Sequence, residues 1–444
     1  MDTPICDFVE KYIKSDFLRL HMPGHKGAAF IGPEAADITE IDGADSLYEA
    51  SGIIYKSEQN ASKLFGSHTY YSAEGSSLAI RAMLYLVMLY AKEQGKKPVI
   101  AAGRNAHKVF LHAASLLDFD IQWIYGSGSY LTCSIDADEL DKMLSRADEK
   151  PVAVYVTSPD YLGNVLDIGA ISAVCRKHGV LLVVDNAHGA YLKFLEPSAH
   201  PIDLGADMCC DSAHKTLPAL TGGAYLHIAH GAPEIFCAMA KNALSLFGST
   251  SPSYLILQSL DMTNRYLADG YSKRLNSFAA LVQKTKERLL SKGFCLIGSE
   301  PMKLTLAPKQ RGYTGVDFAD ELKKRNIVCE FADDDFAVFM LTPEIGEDGL
   351  KAFEEAINDI PQKTAILEKA PAIPKAKKAM SPKEAIFASK EELPVNECTG
   401  RVLASASVGC PPAVPIISCG EIIDEAVIEC FKYYGIQKCL VVRK

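Results

Sequence analysis

The sequence lacks the basic charge and the long apolar runs that are typical of nucleic-acid-binding and membrane proteins. Its 444 residues carry a formal net charge of −9, whereas nucleic acids and anionic membranes attract basic surfaces. No basic segment followed by an apolar core opens the chain, so no signal peptide is predicted. The longest apolar stretch, residues 78–91, contains Arg81 and is too short to cross a bilayer. We therefore expect a cytoplasmic globular protein.

The thirteen cysteines lack the spacing of a disulfide or metal framework. No CxxC pair occurs, and Cys209 and Cys210 are adjacent within a predicted strand. Disulfides and zinc remain open alternatives, but reduced cytoplasmic thiols and no bound metal are the favoured interpretation.

The chain divides into five segments by composition and periodicity. Residues 1–70 are rich in Gly, His and Asp with little periodicity, which predicts an irregular N-terminal arm. In residues 71–270, short apolar strands alternate with amphipathic helices, which is typical of a large α/β domain with a doubly wound, mostly parallel sheet. Residues 271–360 predict a smaller α+β domain, and the Pro- and Lys-rich residues 361–384 predict a linker. Residues 385–444 predict a compact C-terminal domain.

Individual elements of the α/β domain can be placed by their pattern. Apolar runs predict strands within 97–102, 151–158 and 180–185, and residues 168–179 predict a helix that ends in basic residues and Gly. Ligands of open α/β sheets bind beyond the carboxyl ends of the strands. The polar residues that follow such strands are therefore the candidate site.

The first candidate feature is "SAEGSSLAIRAML", residues 72–84. Gly75 permits close backbone approach, and Ser76 and Ser77 come directly before a predicted helix. A helix N-terminus presents unpaired N–H donors and the positive end of the dipole, so this turn is suited to an anion such as phosphate. Plain helix capping by the serines is the alternative.

Two further features follow predicted strands. Asp185 ends the predicted strand "VLLVVD". A carboxylate buried there is costly unless a positive group meets it, so Asp185 could cap a helix, bind a metal or pair with the protonated ring nitrogen of a heterocycle. Lys215 lies in "DSAHKTLPALTGGAYLH" (211–227), where a desolvated amine can act as a nucleophile, although a single lysine is usually a solvated surface charge. A phosphate cradle, a carboxylate and an amine together are what pyridoxal 5'-phosphate (PLP) requires of a protein.

The chain resembles the Orn/Lys/Arg decarboxylase family, which are bacterial basic amino acid decarboxylases of PLP fold type I, the aspartate aminotransferase fold. The similarity covers nearly the whole chain. Its motifs are "HMPGHKGAAF" (21–30), "DITEIDGADSLYEASGII" (37–54), "EGSS" (74–77), "RNAHKVFLHA" (104–113), "TSPDYLGNVLDI" (157–168), "DNAHGA" (185–190), "DSAHKTLPALTGGAYLH" (211–227), "STSPSYLILQSLD" (249–261) and "TGRVLASASVGCPPAVPIISCGEII" (399–423).

The resemblance implies a role for each candidate residue. Lys215 would hold PLP as a Schiff base, Asp185 would pair with the ring nitrogen, and His188 would lie near the phenolic oxygen. His107 would stack on the ring face. The phosphate would be bound by Ser76, Ser77, Ser212 and His214. Thr250 would reach the phosphate of the other subunit, which implies an obligate homodimer with active sites at the subunit interface.

The implied reaction is decarboxylation of arginine, lysine or ornithine to the amine and CO₂, which feeds polyamine metabolism. Lys215 or His214 would return a proton to Cα. Because transamination or β-elimination could use the same residues, it is the resemblance alone that favours decarboxylation. A non-catalytic PLP-binding regulator is a further alternative, but the complete set of Lys215, Asp185 and both phosphate serines argues against it.

The sequence departs from the family pattern in several places. Glu74 replaces an asparagine beside the phosphate turn, and Ala413 and Cys419 replace a glycine and a proline of the C-terminal motif. The chain begins near the "PGHKG" region, so the N-terminal wing domain of larger relatives is not expected, and a dimer, or an assembly of dimers, is favoured over a decamer. Glu421 is the predicted receptor for the basic substrate side chain; the alternative is a helix-start glutamate that favours the dipole. The acidic run 333–335 predicts a solvated turn.

Overall fold

A computed structural model describes residues 1–126, 133–409 and 415–444. It contains two compact units. The first comprises Met1–Lys97, Val152–Val154 and Ile168–Arg274, and the second comprises Pro98–Pro151, Tyr155–Asp167 and Leu275–Lys444. The chain passes between the units several times, and the five segments read from the sequence remain a prediction about domains.

The helices and strands are as follows in chain order. The α-helices are α1 (Pro4–Ile13), α2 (Ile53–Phe65), α3 (Gly75–Glu93), α4 (Lys108–Leu117), α5 (Ala137–Arg146), α6 (Ile168–His178), α7 (Ala213–Thr216), α8 (Glu234–Phe247), α9 (Tyr254–Ala268), α10 (Tyr271–Ser291), α11 (Gly315–Lys323), α12 (Gly346–Asn358), α13 (Pro382–Phe387) and α14 (Glu425–Tyr433). The strands are β1 (His68–Ser72), β2 (Val99–Gly103), β3 (Asp120–Ile124), β4 (Ala153–Thr157), β5 (Leu181–Asp185), β6 (Met208–Asp211), β7 (Ala224–Ile228), β8 (Leu296–Ile297), β9 (Lys303–Leu306), β10 (Phe331–Ala332), β11 (Ala337–Met340), β12 (Lys390–Pro394), β13 (Ser407–Gly409), β14 (Pro415–Ser418) and β15 (Lys438–Val442).

Buried strands form the centre of the first unit. β5 and β6 pair in parallel, β6 pairs with β7 antiparallel, and β7 pairs with β1 antiparallel. Every residue of β5, β6 and β7 is buried, which explains why these strands read as continuous apolar runs. Asp185 and Cys210 are paired across β5 and β6, so the loops that follow these two strands leave the sheet at the same edge.

The second unit contains several small sheets. β2 and β3 pair in parallel, and β10, β11, β9 and β8 form an antiparallel sheet in that order. Two-stranded sheets, β12–β15 and β13–β14, lie within residues 385–444, and a cluster of buried residues there includes Ile417, Val427 and Phe431. The predicted strands and the helix at 168–179 are confirmed as β2, β4, β5 and α6.

The irregular N-terminal arm predicted for residues 1–70 is wrong in part, because this segment contains α1 and α2. α2 buries Ile54, Ala61 and Phe65 along one face. α1 is held at its N-terminus by Asp261, whose Oδ2 accepts hydrogen bonds from Ile5 N at 2.9 Å and Cys6 N at 3.0 Å. A carboxylate at a helix N-terminus is favourable.

The solvated turn predicted for 333–335 is also wrong. Asp333 and Asp335 are each 7% exposed, and only the middle aspartate of the run is exposed. Asp335 forms an ion pair with Lys309 at 2.7 Å and accepts a hydrogen bond from Tyr433 at 3.0 Å. Burial raises the pKa of Asp333 to about 6. Two of the three aspartates are therefore buried and hydrogen-bonded, and only Asp334 faces solvent.

Within the described residues, no helix combines the length and the apolar character needed to cross a membrane. The twelve described cysteines are all free thiols.

Candidate active site

The turn between β1 and α3 has the geometry of an anion cradle. Gly75 N donates to Gly222 O at 2.7 Å, and Ser72 Oγ donates to Gly75 O at 2.8 Å. Gly75 has φ +73° and Gly222 has φ +101°, a region that favours glycine. A Cβ on Gly222 would lie 3.0 Å from Ala73 O. The turn therefore brings two glycine backbones together at the N-terminus of α3.

The structure joins this turn to the end of β6. Ser212 Oγ donates to Ser76 Oγ at 2.8 Å, so two of the predicted phosphate ligands are in contact. Ser76 and Ser77 lie in the first turn of α3 and are half-buried. The N–H groups of such a turn lack intrahelical acceptors and are available to an anion.

Glu74, the acidic departure beside the cradle, is the N-cap of α3 and is exposed. Its Oε1 accepts a hydrogen bond from Ser249 N at 2.5 Å. The carboxylate thus binds the segment that carries Thr250. Thr250 is exposed, and its contact with another subunit remains a prediction.

Lys215 lies on α7, a single turn that follows β6. Lys215 N donates to Ser212 O at 3.0 Å, and Lys215 Nζ lies 3.0 Å from His188 Nε2. Because an ammonium group only donates, His188 Nε2 accepts when the lysine is charged. His214 donates from Nδ1 to Gly223 O at 3.0 Å, which orients its ring.

Asp185 is the last residue of β5 and is 2% exposed. Its Oδ1 accepts from Ala187 N at 3.2 Å and lies 3.7 Å from Cys210 Sγ. A carboxylate this deeply buried is stabilised by a cationic partner. A protonated pyridine nitrogen is such a partner, so the donor set of this strand edge fits PLP.

A buried network that the sequence reading missed lies behind the site. Asp211 Oδ2 accepts from His200 Nε2 and His227 Nε2, each at 3.1 Å, and Oδ1 accepts from Asn186 Nδ2 at 2.6 Å. All four residues are fully buried. Because Asn186 follows Asp185 and Asp211 precedes Ser212, the network connects the two loops that carry the site. Adjacency to these motifs was the only signal available in the sequence.

The protonation of this network favours hydrogen bonding over metal binding. His200, Cys209 and Asp211 place potential ligand atoms within 4.8 Å of one another. Burial alone would raise the pKa of Asp211, but the two imidazoles hold it well below its ordinary value, so the carboxylate is ionised and accepts their N–H groups. Burial raises the pKa of Cys209 well above its ordinary value, which keeps a neutral thiol. The absence of a metal remains a prediction.

The predicted residues of the second unit have other local roles. His107 is the exposed N-cap of α4, and its Nδ1 accepts from Val109 N at 3.3 Å. Its stacking on a cofactor remains a prediction. Glu421 is 2% exposed, and its two carboxylate oxygens each accept from Arg104 at 2.7 Å. The helix-start alternative for Glu421 is wrong, since α14 begins at Glu425 with Asp424 as its cap.

The remaining departures from the family motif are placed as follows. Cys419 is buried, and Ala413 lies outside the described residues.

Comparison with known proteins identifies the family. A family model described as Orn/Lys/Arg decarboxylase, major domain, matches residues 3–297. The chain belongs to the Orn/Lys/Arg decarboxylase family. Arginine decarboxylase of Bacillus subtilis (strain 168) is 28% identical over 464 residues, which cover 96% of this chain and 92% of that protein. Lysine decarboxylase LdcA of Pseudomonas aeruginosa is 24% identical over 310 residues, which cover 61% of this chain and 40% of that protein.

A solved structure agrees at the level of the fold. Lysine decarboxylase LdcF of Francisella novicida superposes with a TM-score of 0.81 at 18% identity, covering 99% of this chain and 81% of that one. The predicted α/β fold, PLP fold type I, is confirmed. The predicted enzyme class, decarboxylase, is confirmed by membership of the Orn/Lys/Arg decarboxylase family. The family consists of PLP-dependent enzymes.

Proposed function

We propose that this chain is a PLP-dependent decarboxylase that converts arginine to agmatine and CO₂, with lysine and ornithine as the other candidate substrates. The observation that carries the proposal is the contact between Lys215 Nζ and His188 Nε2 at 3.0 Å. This contact lies at the edge where β5 and β6 present Asp185 and Ser212. The amine of Lys215, the buried carboxylate of Asp185 and the N-terminus of α3 thereby lie at the ends of strands in one sheet, which supports the proposal.

Each residue at this edge of the sheet would make a specific contact with the cofactor. Lys215 would hold PLP covalently through its ε-amine, and Asp185 would keep the ring nitrogen protonated. The phosphate would be bound by the first turn of α3 and by the side chains Ser76, Ser77, Ser212 and His214. When bound, PLP supplies an electron sink for the charge left on Cα as CO₂ departs.

Side chains that can transfer protons would support the steps that follow binding of the substrate. His188 contacts the amine of Lys215 and would exchange a proton with it as that amine is released by substrate. Lys215 or His214 would then donate a proton to Cα. His107 would contribute the ring-stacking surface. General acid–base groups within hydrogen-bonding reach typically contribute about 10²–10⁴-fold to rate.

Arginine is the first candidate substrate because of how the relatives match. The relative named arginine decarboxylase aligns over nearly its whole length, whereas the relative named lysine decarboxylase aligns over 40% of its length. The amine product would serve polyamine metabolism in the cytoplasm.

A homodimer is supported by the apolar surface of the N-terminal arm. Phe17, Leu18, Leu20, Phe30 and Ile31 are each 73–87% exposed in the single chain. Several highly exposed apolar side chains within one short segment, here residues 17–31, are typical of a protein–protein interface. A second copy of the chain would cover them and would place Thr250 beside the partner's cofactor.

The test is a product assay on purified, PLP-reconstituted protein with arginine, lysine and ornithine, at mildly acidic and neutral pH. Amine and CO₂ in equal amounts would support the proposal, and the preferred amino acid would identify the substrate. Keto acid without CO₂ would show transamination instead. PLP uptake with no product from any of the three would leave a cofactor-binding protein without this activity. Lys215→Ala is the matched control for background chemistry.

A further inference from the structure

The ion pair between Arg104 and Glu421 connects two distant parts of the second unit. The guanidinium donates from both terminal nitrogens to the two carboxylate oxygens, each at 2.7 Å. The side chains are 5% and 3% exposed. The arginine also lies over the rings of Trp123 at 4.9 Å and Tyr125 at 5.7 Å. A bidentate pair stacked on aromatic rings allows one orientation of the arginine.

Arg104 belongs to the short loop that carries His107. This loop leaves β2 at Gly103 and enters α4 at Lys108. Arg104 N donates to Ile124 O at 3.0 Å, and Ala106 N donates to Gly103 O at 3.0 Å. The Arg104 side chain, three residues before His107, connects this loop to Glu421.

Glu421 makes further hydrogen bonds with residues near it in the C-terminal part of the chain. Its Oε2 also accepts from Ser418 N at 2.8 Å, and its main-chain oxygen accepts from Leu403 N at 3.0 Å. Gly420 has φ +84°, and a Cβ there would lie 2.4 Å from Met380 O. The glycine before Glu421 is therefore required by the close approach of the backbone. The turn presents the carboxylate in one position.

Stability alone does not explain this buried pair. Desolvation of two charges offsets most of their attraction, so a buried ion pair contributes little net stability compared with apolar packing. The C-terminal domain is also attached to the same region by the exposed pairs Lys378–Asp120, at 3.1 Å, and Lys383–Asp118, at 2.8 Å. What Arg104 and Glu421 add is a fixed direction for the loop.

We propose that Glu421 is a positioning residue: through Arg104 it fixes the loop that presents His107 to the cofactor. This inference rests on the proposed function, in which His107 stacks on PLP. It replaces the direct substrate contact first expected for Glu421, because a substrate side chain would have to displace Arg104 from both carboxylate oxygens.

The test compares PLP binding by purified variants of the full chain. Glu421→Gln keeps the shape and removes the charge, and His107→Ala removes the stacking side chain. Asp335→Asn is the matched control, because it removes another buried carboxylate of the same unit that pairs with Lys309. The readouts are the dissociation constant for PLP, from titration of its absorbance band, the visible circular dichroism of the bound cofactor, and the thermal midpoint without PLP.

We expect Glu421→Gln to weaken PLP binding by about tenfold, with a reduced dichroic band, and the double variant with His107→Ala to bind no more weakly than His107→Ala alone. Asp335→Asn should lower the thermal midpoint while leaving the dissociation constant unchanged. The positioning role alone would be overturned if the effects of Glu421→Gln and His107→Ala on PLP binding were additive. It would also be overturned if Glu421→Gln bound PLP normally but had an altered KM for the amino acid. Failure of the unmodified chain to bind PLP would overturn the proposed function together with it.

Discussion

The buried carboxylate of Asp333 makes a pH-dependent stability prediction that can be worked out in detail. Its Oδ1 accepts from Asp335 N at 2.8 Å and Phe336 N at 2.7 Å. These bonds lower the pKa, but burial dominates, and the charges of Asp335 and Asp334 act in the same direction as burial. The pKa of Asp333 is raised from 3.8 to about 6.

The raised pKa sets both the sign and the size of the effect. The folded state binds a proton more tightly than the unfolded state, so this group's contribution to stability is complete below pH 3.8 and is lost as the pH rises through about 6. A difference of about two pKa units corresponds to about 3 kcal/mol at pH 8, and to roughly half of that at pH 5. Asp333→Asn retains an oxygen acceptor and cannot ionise, so it should stabilise the protein, and more at pH 8 than at pH 5.

The assay is calorimetric unfolding of the purified chain and its variants between pH 5 and pH 8. Asp334→Asn is the matched control, because it removes the same charge from the adjacent exposed position. We expect the gain in thermal midpoint for Asp333→Asn to grow with pH, and the control to show a much smaller gain of the same sign, because the Asp334 charge only adds to the effect of burial on the pKa of Asp333. A gain that is independent of pH, or equal gains for both variants, would show that burial of Asp333 does not control its ionisation.

Three further predictions concern the active site. Lys215→Ala should lose activity by about three orders of magnitude or more and should show no borohydride-fixed PLP on peptide mapping, while a label found on the variant would place the covalent link elsewhere. Gly222→Ala should destabilise the turn between β1 and α3 by about 1–3 kcal/mol, because Gly222 has φ +101° and the added Cβ would lie 3.0 Å from Ala73 O. The expected result is a lower thermal midpoint and weaker PLP binding. Asp211→Asn should cost about 3 kcal/mol of unfolding free energy at neutral pH. The pKa of Asp211 is lowered in the folded state, so this stability is present above the unfolded pKa and is lost as the pH falls. In denaturant titrations, the difference in unfolding free energy between the variant and the unmodified chain should therefore shrink below about pH 4. A difference that stays constant with pH would contradict this prediction.

The sequence alone was sufficient wherever the signal was local. Apolar runs located β2, β4 and β5, and basic residues followed by Gly located the end of α6. Lys215, Asp185 and Ser76 could be proposed as site residues because each lies in a short motif at or soon after the end of a strand, and strand ends of an α/β sheet are where ligands bind. The two missed helices, α1 and α2, had amphipathic patterns that were obscured by the Gly- and His-rich residues between them.

The tertiary structure decided what depends on partners far along the chain. The partner of Glu421 is 317 residues away, and Asp211 meets His227 and Asn186 only because β5, β6 and β7 are neighbours in the sheet. Asp333 looked like part of a solvated acidic turn, yet the fold buries it. Periodicity and motif spacing report on local conformation, whereas burial and ion pairing are set by which segments pack together. Sequence motifs therefore pointed to the type of reaction, and tertiary packing determined which charged side chains are buried and which of them form ion pairs.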